Sequence, residues 1–554
     1  MKQIEIVIEN CNERIKVETG TQLKVLAQQY SHCCKYPILG ATVNNEGQHL
    51  GYNLYTPRTV RFFDISSKRG YRMYADSLCF MMHKATRDVY PNLNLRFEHS
   101  MLNGFYCRLI GENNDSPADT CRKIRARMIE LQQADLPFEN STMLLEDARE
   151  LIKDTGIPKT ELIFNGIHQL YITLQSLDGT VHKLAYWPVP STGYLTCWEL
   201  RTYEEGLLLM CPDPDNPTHL SIYEETPKLF SIFKEYQEWC QLLDVPTIAA
   251  LNLMVRNGKQ NHLIQVSEAL HEKKFAMIAD EIYHRRSDVK AVLIAGPSSS
   301  GKTTSCRRLS VQLSVMGFDV QQLSIDDYFV DRTRTPKQPN GDYDFEALEA
   351  VDIDMLNDHL LRLFRGERVE IPTYDFKRGT PYFSGKSLKM GKNSILVIEG
   401  IHCLNPKLTP QIPEETKYKV YVSALTQLAI DDLNIIHTSD TRLIRRMVRD
   451  YNFRGYSALN TLKRWNSVTA GEKLHIFPYQ ENADVMFNSA LLYELGILKH
   501  YAEPLLKGVQ EDQPEYASAE RMLRFIQLIE PIEPTYIPPT SIMREFLGGS
   551  CFEY

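Results

Sequence analysis

The chain has 554 residues, 43% of them hydrophobic and 24% charged, and a formal net charge of −8. That length asks for roughly three or four domains of about 100–200 residues each, and the composition excludes disordered, collagen-like and coiled-coil classes while supplying apolar material for several cores. The acidic balance gives no global attraction to nucleic acid or anionic lipid, so any phosphate chemistry must come from local sites.

The opening, MKQIEIVIEN, lacks the basic and long apolar regions of a signal peptide, and no run of about 18 uncharged apolar residues occurs anywhere. The twelve cysteines are scattered, include the adjacent pair Cys33 and Cys34, and form no CxxC pair. They read as reduced thiols of a soluble, cytoplasmic protein. Ile4, Ile6 and Ile8 alternate with polar residues, as do Ile15 and Val17 after the turn-like Asn10-Cys11-Asn12, which predicts a half-buried hairpin. Leu23, Leu26 and Ala27 then space like a helix with Thr21 at its N-cap, and Ala41–Val43 and Val60–Phe63 read as two more strands. Two strands, a helix and two strands predict a β-grasp module, and their order resembles a TGS domain, the small module at the start of threonyl-tRNA synthetases.

HKATRDVYPNLNLRFEHSMLNGFYCRL, from His83 to Leu109, and VPSTG at Val189–Gly193 resemble the second N-terminal domain of the same synthetases, an α+β domain. Ile124, Met128 and Leu131, and again Ala148, Leu151 and Ile152, predict helices between them. In that family the domain edits mischarged tRNA with histidines of an HxxxH pair and a later Cys/His pair bound to metal. Here the corresponding positions carry Asp76, Phe80, Leu184 and Pro188. A zinc ion needs N or S donors, so no metal is expected in this domain. His83 and His99 read as packed or surface histidines.

From Pro227 to Arg286 the spacing of Leu229, Ile232, Phe233 and Tyr236, and of Val266, Leu270 and Phe275, predicts a helical connector packed on the next domain, with Ser267 and Glu268 near a helix start. The predicted division is 1–66, 67–225, 226–287, 288–500 and 501–554, the last a Pro-rich extension wrapping a surface with no chemistry of its own.

AVLIAGPSSSGKTT, Ala291–Thr304, is the sharpest signal. A buried strand through Val292, Leu293 and Ile294 leads into GxxxxGK[ST] at Gly296–Thr303, and Leu309, Leu313 and Met316 place a helix after it. The bare pattern arises by chance in roughly one chain of this length in a hundred, before its flanking elements are required. Gly296, Pro297, Ser298, Ser299, Ser300, Gly301, Lys302, Thr303 and Thr304 are thus the expected ATP-binding residues, with backbone N–H groups on phosphate oxygens, Lys302 on the β/γ phosphates and Thr303 on Mg²⁺. Downstream, Val320–Leu323 reads as a strand that carries Asp326 and Asp327 beyond its end, where a carboxylate can accept the proton of an attacking hydroxyl or simply cap a turn. Ile395–Gly400 is a further strand ending in an acid, Glu399.

These segments together with YDFEALE, PTYDF and DTRLIRRMVRD, about residues 288–500, resemble the uridine kinase and phosphoribulokinase family. The resemblance implies a P-loop NTPase fold with a mostly parallel sheet and flanking helices, and an ATP- and Mg²⁺-dependent nucleoside kinase-like phosphotransferase. It also implies roles: Asp326 as general base, with Asp327 the second choice; Thr303 and Glu399 as the Mg²⁺ holders; Asp344 on acceptor hydroxyls; Tyr374 and Phe376 lining the acceptor pocket. DTRLIRRMVRDYNFR, Asp440–Arg454, resembles the family's arginine-bearing lid. Its bare alternative is a solvated helix face. Of its arginines, Arg445 is the expected catalytic one beside Lys302, with Arg442 and Arg449 binding substrate; Arg445 and Arg449, at i and i+4, can share one face toward the phosphates, with Arg442 one turn earlier, and spacing does not tell which of them points inward. Uridine-cytidine kinases carry a histidine three residues after PTYDF, where Gly379 stands here behind Lys377 and Arg378, a departure from the pattern that reads a pyrimidine base. Two functions are in view: transfer of the ATP γ-phosphoryl to a hydroxyl, foremost the 5′-OH of uridine or cytidine, or an RNA- or tRNA-associated regulatory NTPase. Partners are ATP and a small acceptor, no membrane, with RNA and self-association left open.

Overall fold

The computed structural model describes residues 2–553 apart from 102–103, 154–162, 165, 168, 223, 339–340, 342 and 427, so Asp342 at the start of the DYDFEALE segment lies outside the described residues. The predicted hairpin pairs Gln3–Ile8 with Glu13–Glu18; Ile4, Ile6 and Ile8 are fully or almost fully buried, and Ile15 and Val17 partly so. Arg58–Phe63 adds to it in parallel, followed by Gly40–Val43 and Glu46–His49, closing a five-stranded mixed sheet over the helix Leu23–Gln29. Thr21 is not that helix's N-cap: Gln22 occupies the position, and the Thr21 hydroxyl donates to the Glu18 carbonyl at 2.7 Å. Nor are the cysteines simply scattered. All twelve are free, and the ligand atoms of Cys11, His32 and Cys33 lie within 4.8 Å of one another.

The 22-residue helix Lys68–Val89, capped by the Ser67 hydroxyl accepting from the Gly70 N–H, is the spine of the next unit. It packs with the helix Pro117–Gln133 against a four-stranded antiparallel sheet. Ala148 and Ile152 face inward from the helix Leu145–Lys153 as the spacing predicts, whereas Leu151 is exposed. His83 and His99 are buried, and burial pushes both imidazoles down to about 3. His99 stacks on Phe233 at 4.1 Å between ring centroids, so packing is its role.

The connector forms three helices, Pro227–Leu242, Ile248–Arg256 and Gln260–His284. Ile232, Phe233 and Tyr236 enter the core of the C-terminal unit. Ser267 and Glu268 sit in the middle of the third helix, not at a start: Glu268 is buried and accepts from Tyr493 and Ser541, 2.6 and 2.5 Å away, and pairs with Arg308.

The C-terminal unit is built on a wholly parallel five-stranded sheet. In spatial order its strands are Asp319–Ser324, Ser394–Glu399, Ala291–Ala295, Lys417–Ser423 and Val485–Asn488. Both faces are covered, which is why these strands read as unbroken apolar runs. The chain switches direction of travel across the sheet beside the strand Ala291–Ala295, and such a switch point opens a crevice at the strands' carboxyl ends. The helix Glu494–Lys507 runs through residue 500, and the segment after it does more than wrap a surface: Ile532, Ile537, Ile542, Met543 and Phe546 are buried in the core.

Candidate active site

The strand Ala291–Ala295 ends at Gly296, where a Cβ would lie 1.9 Å from the Val422 carbonyl, so only glycine lets the loop leave between two strands. Ser299 and Gly301 adopt φ of +59° and +83°, and the helix Lys302–Val315 starts directly behind them. This turn sends Lys302, Thr303 and Thr304 to the crevice in a single helical turn. The Lys302 ammonium rests on the Pro297 carbonyl at 3.1 Å, spanning the loop it would serve. The helix N-terminus and loop N–H groups make the place suited to phosphate.

The Thr303 hydroxyl lies 3.0 and 3.1 Å from the two Glu399 oxygens. Burial pushes the Glu399 carboxyl up to about 7, Lys302 opposing and Asp326 and Glu545 reinforcing the rise. A hydroxyl on a crowded carboxylate, with a lysine as the leading opposing charge, is a donor set that fits a hard divalent cation such as Mg²⁺. Asp326 follows the strand Asp319–Ser324 in a single 3-10 turn whose start is fixed by the Ser324 hydroxyl accepting from the Asp326 N–H at 3.3 Å. It is open on the crevice but walled by protein, and that setting raises its carboxyl while Lys302, Arg454 and Arg449 pull it back. Asp327 is likewise raised by burial, with Lys386 its leading cation, and so faces different company.

The lid arginines divide by the face of the helix Thr438–Arg454 they occupy. Arg442 is buried, pairs with both oxygens of Glu472 and donates to the Ser298 carbonyl at 3.2 Å. Arg445 is fully buried, paired with Glu494 and donating to the Ser299 carbonyl at 3.4 Å and the Ser489 carbonyl at 2.9 Å. Both its Nη groups are thus engaged beneath the loop, and it does not share a free face with Arg449 toward the phosphates. Arg446 reaches the Ser298 hydroxyl at 2.8 Å, and Arg449 and Arg454 bracket Asp450 and bear on Asp326. Arg446 and Arg454 are therefore site residues that helical spacing alone does not single out.

The acceptor side is aromatic. Tyr374 is buried, with its ring 5.5 Å from Phe329 and 5.1 Å from Phe376, while Phe376 is 60% exposed and free to meet a ligand. Asp344 is half-buried, its carboxylate accepting from the Glu346 N–H at 3.2 Å. Glu346, unsuspected from the sequence, is pushed up to about 7 by burial and by Glu472, against Arg446 and Lys302. Lys377 and Arg378 are exposed at the tip of the hairpin joining Arg368–Asp375 to Thr380–Lys389, so they are surface residues. A last unforeseen element is the C-terminal segment: Glu545 accepts from the Thr304 N–H at 3.2 Å and its hydroxyl at 2.7 Å. A lone glutamate 241 residues from the loop carries no signal that sequence could offer.

Residues 291–491 match the model of the Phosphoribulokinase / Uridine kinase family, so the C-terminal region holds a domain of that family. Among curated proteins, a uridine kinase of Schizosaccharomyces pombe is 32% identical over 181 residues, 32% of this chain and 35% of that protein. A uridine kinase of Staphylococcus haemolyticus is 28% identical over 194 residues, 35% of this chain and 84% of that protein. This chain thus spans about a third of the length of the first and most of the second, and the family model leaves residues 1–290 uncovered. Among solved structures, a D-glycerate 3-kinase of Cryptococcus neoformans is 15% identical over 46% of this chain and 87% of that one, at a TM-score of 0.22, too low for any argument.

Proposed function

We propose, from the kinase-family domain at residues 291–491, that the protein is an ATP-dependent small-molecule kinase that phosphorylates a hydroxyl, with the 5′-OH of a nucleoside such as uridine or cytidine the first acceptor to test. The reading rests on one observation: Lys302, the Thr303–Glu399 pair and Asp326 converge at the carboxyl end of one parallel sheet, with Arg449 and Arg454 across from them. The loop Gly296–Thr304 holds the phosphates through its N–H groups and Lys302. Mg²⁺ held by Thr303 and Glu399 would neutralise charge on the β- and γ-phosphate oxygens. Asp326 accepts the proton as the acceptor oxygen bonds to the γ-phosphorus. The bond from that phosphorus to the bridging oxygen breaks, leaving a phosphomonoester and ADP. Arg449 and Arg454 supply positive charge where the transferring group gathers negative charge, and Tyr374 and Phe376 offer stacking faces to the acceptor.

The test is incubation of the full chain with Mg-ATP and a panel of nucleosides and sugars, reading phosphorylated product. No product with any hydroxyl acceptor defeats the kinase reading, and product with sugars alone defeats the nucleoside. Asp326→Asn is expected to lose at least about a hundredfold in turnover, a typical contribution of general acid–base catalysis, while binding nucleotide as before. Full activity would remove Asp326 as the base.

A further inference from the structure

A large cavity lies away from the phosphate loop. It has a volume of about 860 Å³ and lies where four parts of the chain meet: the first sheet, the second unit, the 430–440 segment ahead of the arginine helix, and the C-terminal helices. That size suits a small-molecule ligand, for which pockets run to roughly 300–1,000 Å³. Its wall is apolar and aromatic in large part, with Phe63, Phe105, Phe164, Tyr186 and Trp187 among the lining residues.

The charged groups in that wall are mostly satisfied by protein. Asp440 is held by Arg521, Arg524 by Glu520 and Glu46, Glu530 by Arg256 and Glu503 by Lys507. Asp431 accepts from the backbone N–H groups of Leu433 and Asn434, and Lys499 donates to the carbonyls of Gln527 and Ile529. Asp76 accepts from the Tyr186 N–H, and burial pushes it up to about 7, which weakens its negative charge. Two cations remain. Arg69 lies against Gly47 and Phe63 with its Nη1 lacking any hydrogen-bond partner. Lys183 donates only to the Leu184 carbonyl, at 3.2 Å, and among the described residues no carboxylate pairs with either of the two. Both are half-buried, and a cation drawn partly out of water without a counter-charge is costly unless something else supplies it.

We propose that this cavity binds a small organic anion, a carboxylate or phosphate borne on an aromatic or aliphatic body, with Arg69 and Lys183 holding the charged end. The site is separate from the nucleotide crevice and does not depend on the kinase reading.

The test uses the full chain with Mg-ADP present throughout to keep the nucleotide crevice filled. Anilinonaphthalene sulfonate, an aromatic anion, is titrated and followed by fluorescence, then challenged with phenyl phosphate, benzoate and the neutral benzyl alcohol. Saturable binding displaced by phenyl phosphate or benzoate but not by benzyl alcohol is expected, and whichever anion displaces better identifies the headgroup. The double variant Arg69→Gln, Lys183→Gln should weaken binding by about tenfold or more, whereas Lys183→Arg should keep it. Non-saturable binding, equal displacement by the alcohol, or an unchanged affinity in the double variant would overturn the site. Should the double variant fail to fold, the anion-against-alcohol comparison on the unaltered protein still decides.

Discussion

At Gly379 the backbone φ is +78°, and a Cβ would lie 2.6 Å from the Arg332 Nε. Gly379→His therefore strains the hairpin tip instead of adding a base contact: about 1–2 kcal/mol of stability should be lost from the left-handed conformation alone, read by urea unfolding, with no fall in KM for uridine. The buried and half-buried lid arginines should separate just as cleanly. Arg445→Met leaves Glu494 charged and unpaired in the core, a loss of about 3–5 kcal/mol, while Arg449→Met should leave the unfolding midpoint within experimental spread and lower kcat. Equal effects of the two on stability would contradict that division of labour. The spacing of Arg442, Arg445, Arg446 and Arg449 is readable as a basic helix, but which face looks inward is not. That choice is made by Glu472, Glu494 and Phe546, contributed by segments far along the chain. Lys302 and Thr303 are placed by a local strand–loop–helix turn that the sequence spells out, whereas Glu399, which meets Thr303, arrives on a strand 96 residues further on.

Among the elements, the C-terminal strap changes the picture of the phosphate loop most. Ile542 Cγ2 would stand 2.6 Å from a Cβ on Gly301, and Glu545 occupies the Thr304 N–H, a donor at the helix N-terminus suited to an anion. A carboxylate there competes with phosphate for the same donor. Glu545→Gln should accordingly tighten binding of a fluorescent ATP analogue several-fold, and weaker binding would mean that the carboxylate serves to hold the strap in place. The regular elements are legible where the pattern is local: the hairpin Gln3–Glu18 and the helix Pro117–Gln133 obey their periodicities, and the strands Ala291–Ala295 and Ser394–Glu399 are continuous apolar runs buried on both faces. The strap is not, because its isoleucines are spaced among prolines with no period, and they find partners only in a core built by other segments.

Across the whole molecule, the second unit grips the kinase-family domain through charge. Arg72 donates to the two oxygens of Asp440 at 3.1 and 3.2 Å, and Arg521 to the same two at 2.7 and 2.8 Å. Burial alone would raise the Asp440 carboxyl, but the two guanidinium groups drive it well below the usual range. Nearby, Arg96 pairs with Asp432 at 2.6 Å, and the Asn434 side chain donates to the Lys183 carbonyl at 2.9 Å. Asp440 lies in the first turn of the helix whose next turns carry Arg442, Arg445 and Arg446 to the phosphate loop. Substituting Arg72→Gln leaves one clamp of two, and the affinity for the fluorescent ATP analogue should change by about threefold or more, either way; an unaltered affinity would show the two halves to be energetically separate.

The doubly gripped Asp440 has a thermodynamic corollary. Arg521 and Asp440 line the large cavity, and the helix that carries Asp440 in its first turn touches the phosphate loop, so one helical rod connects the proposed anion site to that loop. Anything that favours one setting of that rod from one end must be favoured by it from the other, by an equal free energy, because linkage is reciprocal. If the rod is shared, nucleotide occupancy would report whether the cavity is filled, and the affinity of the cavity for its anion would in turn register whether nucleotide is in place.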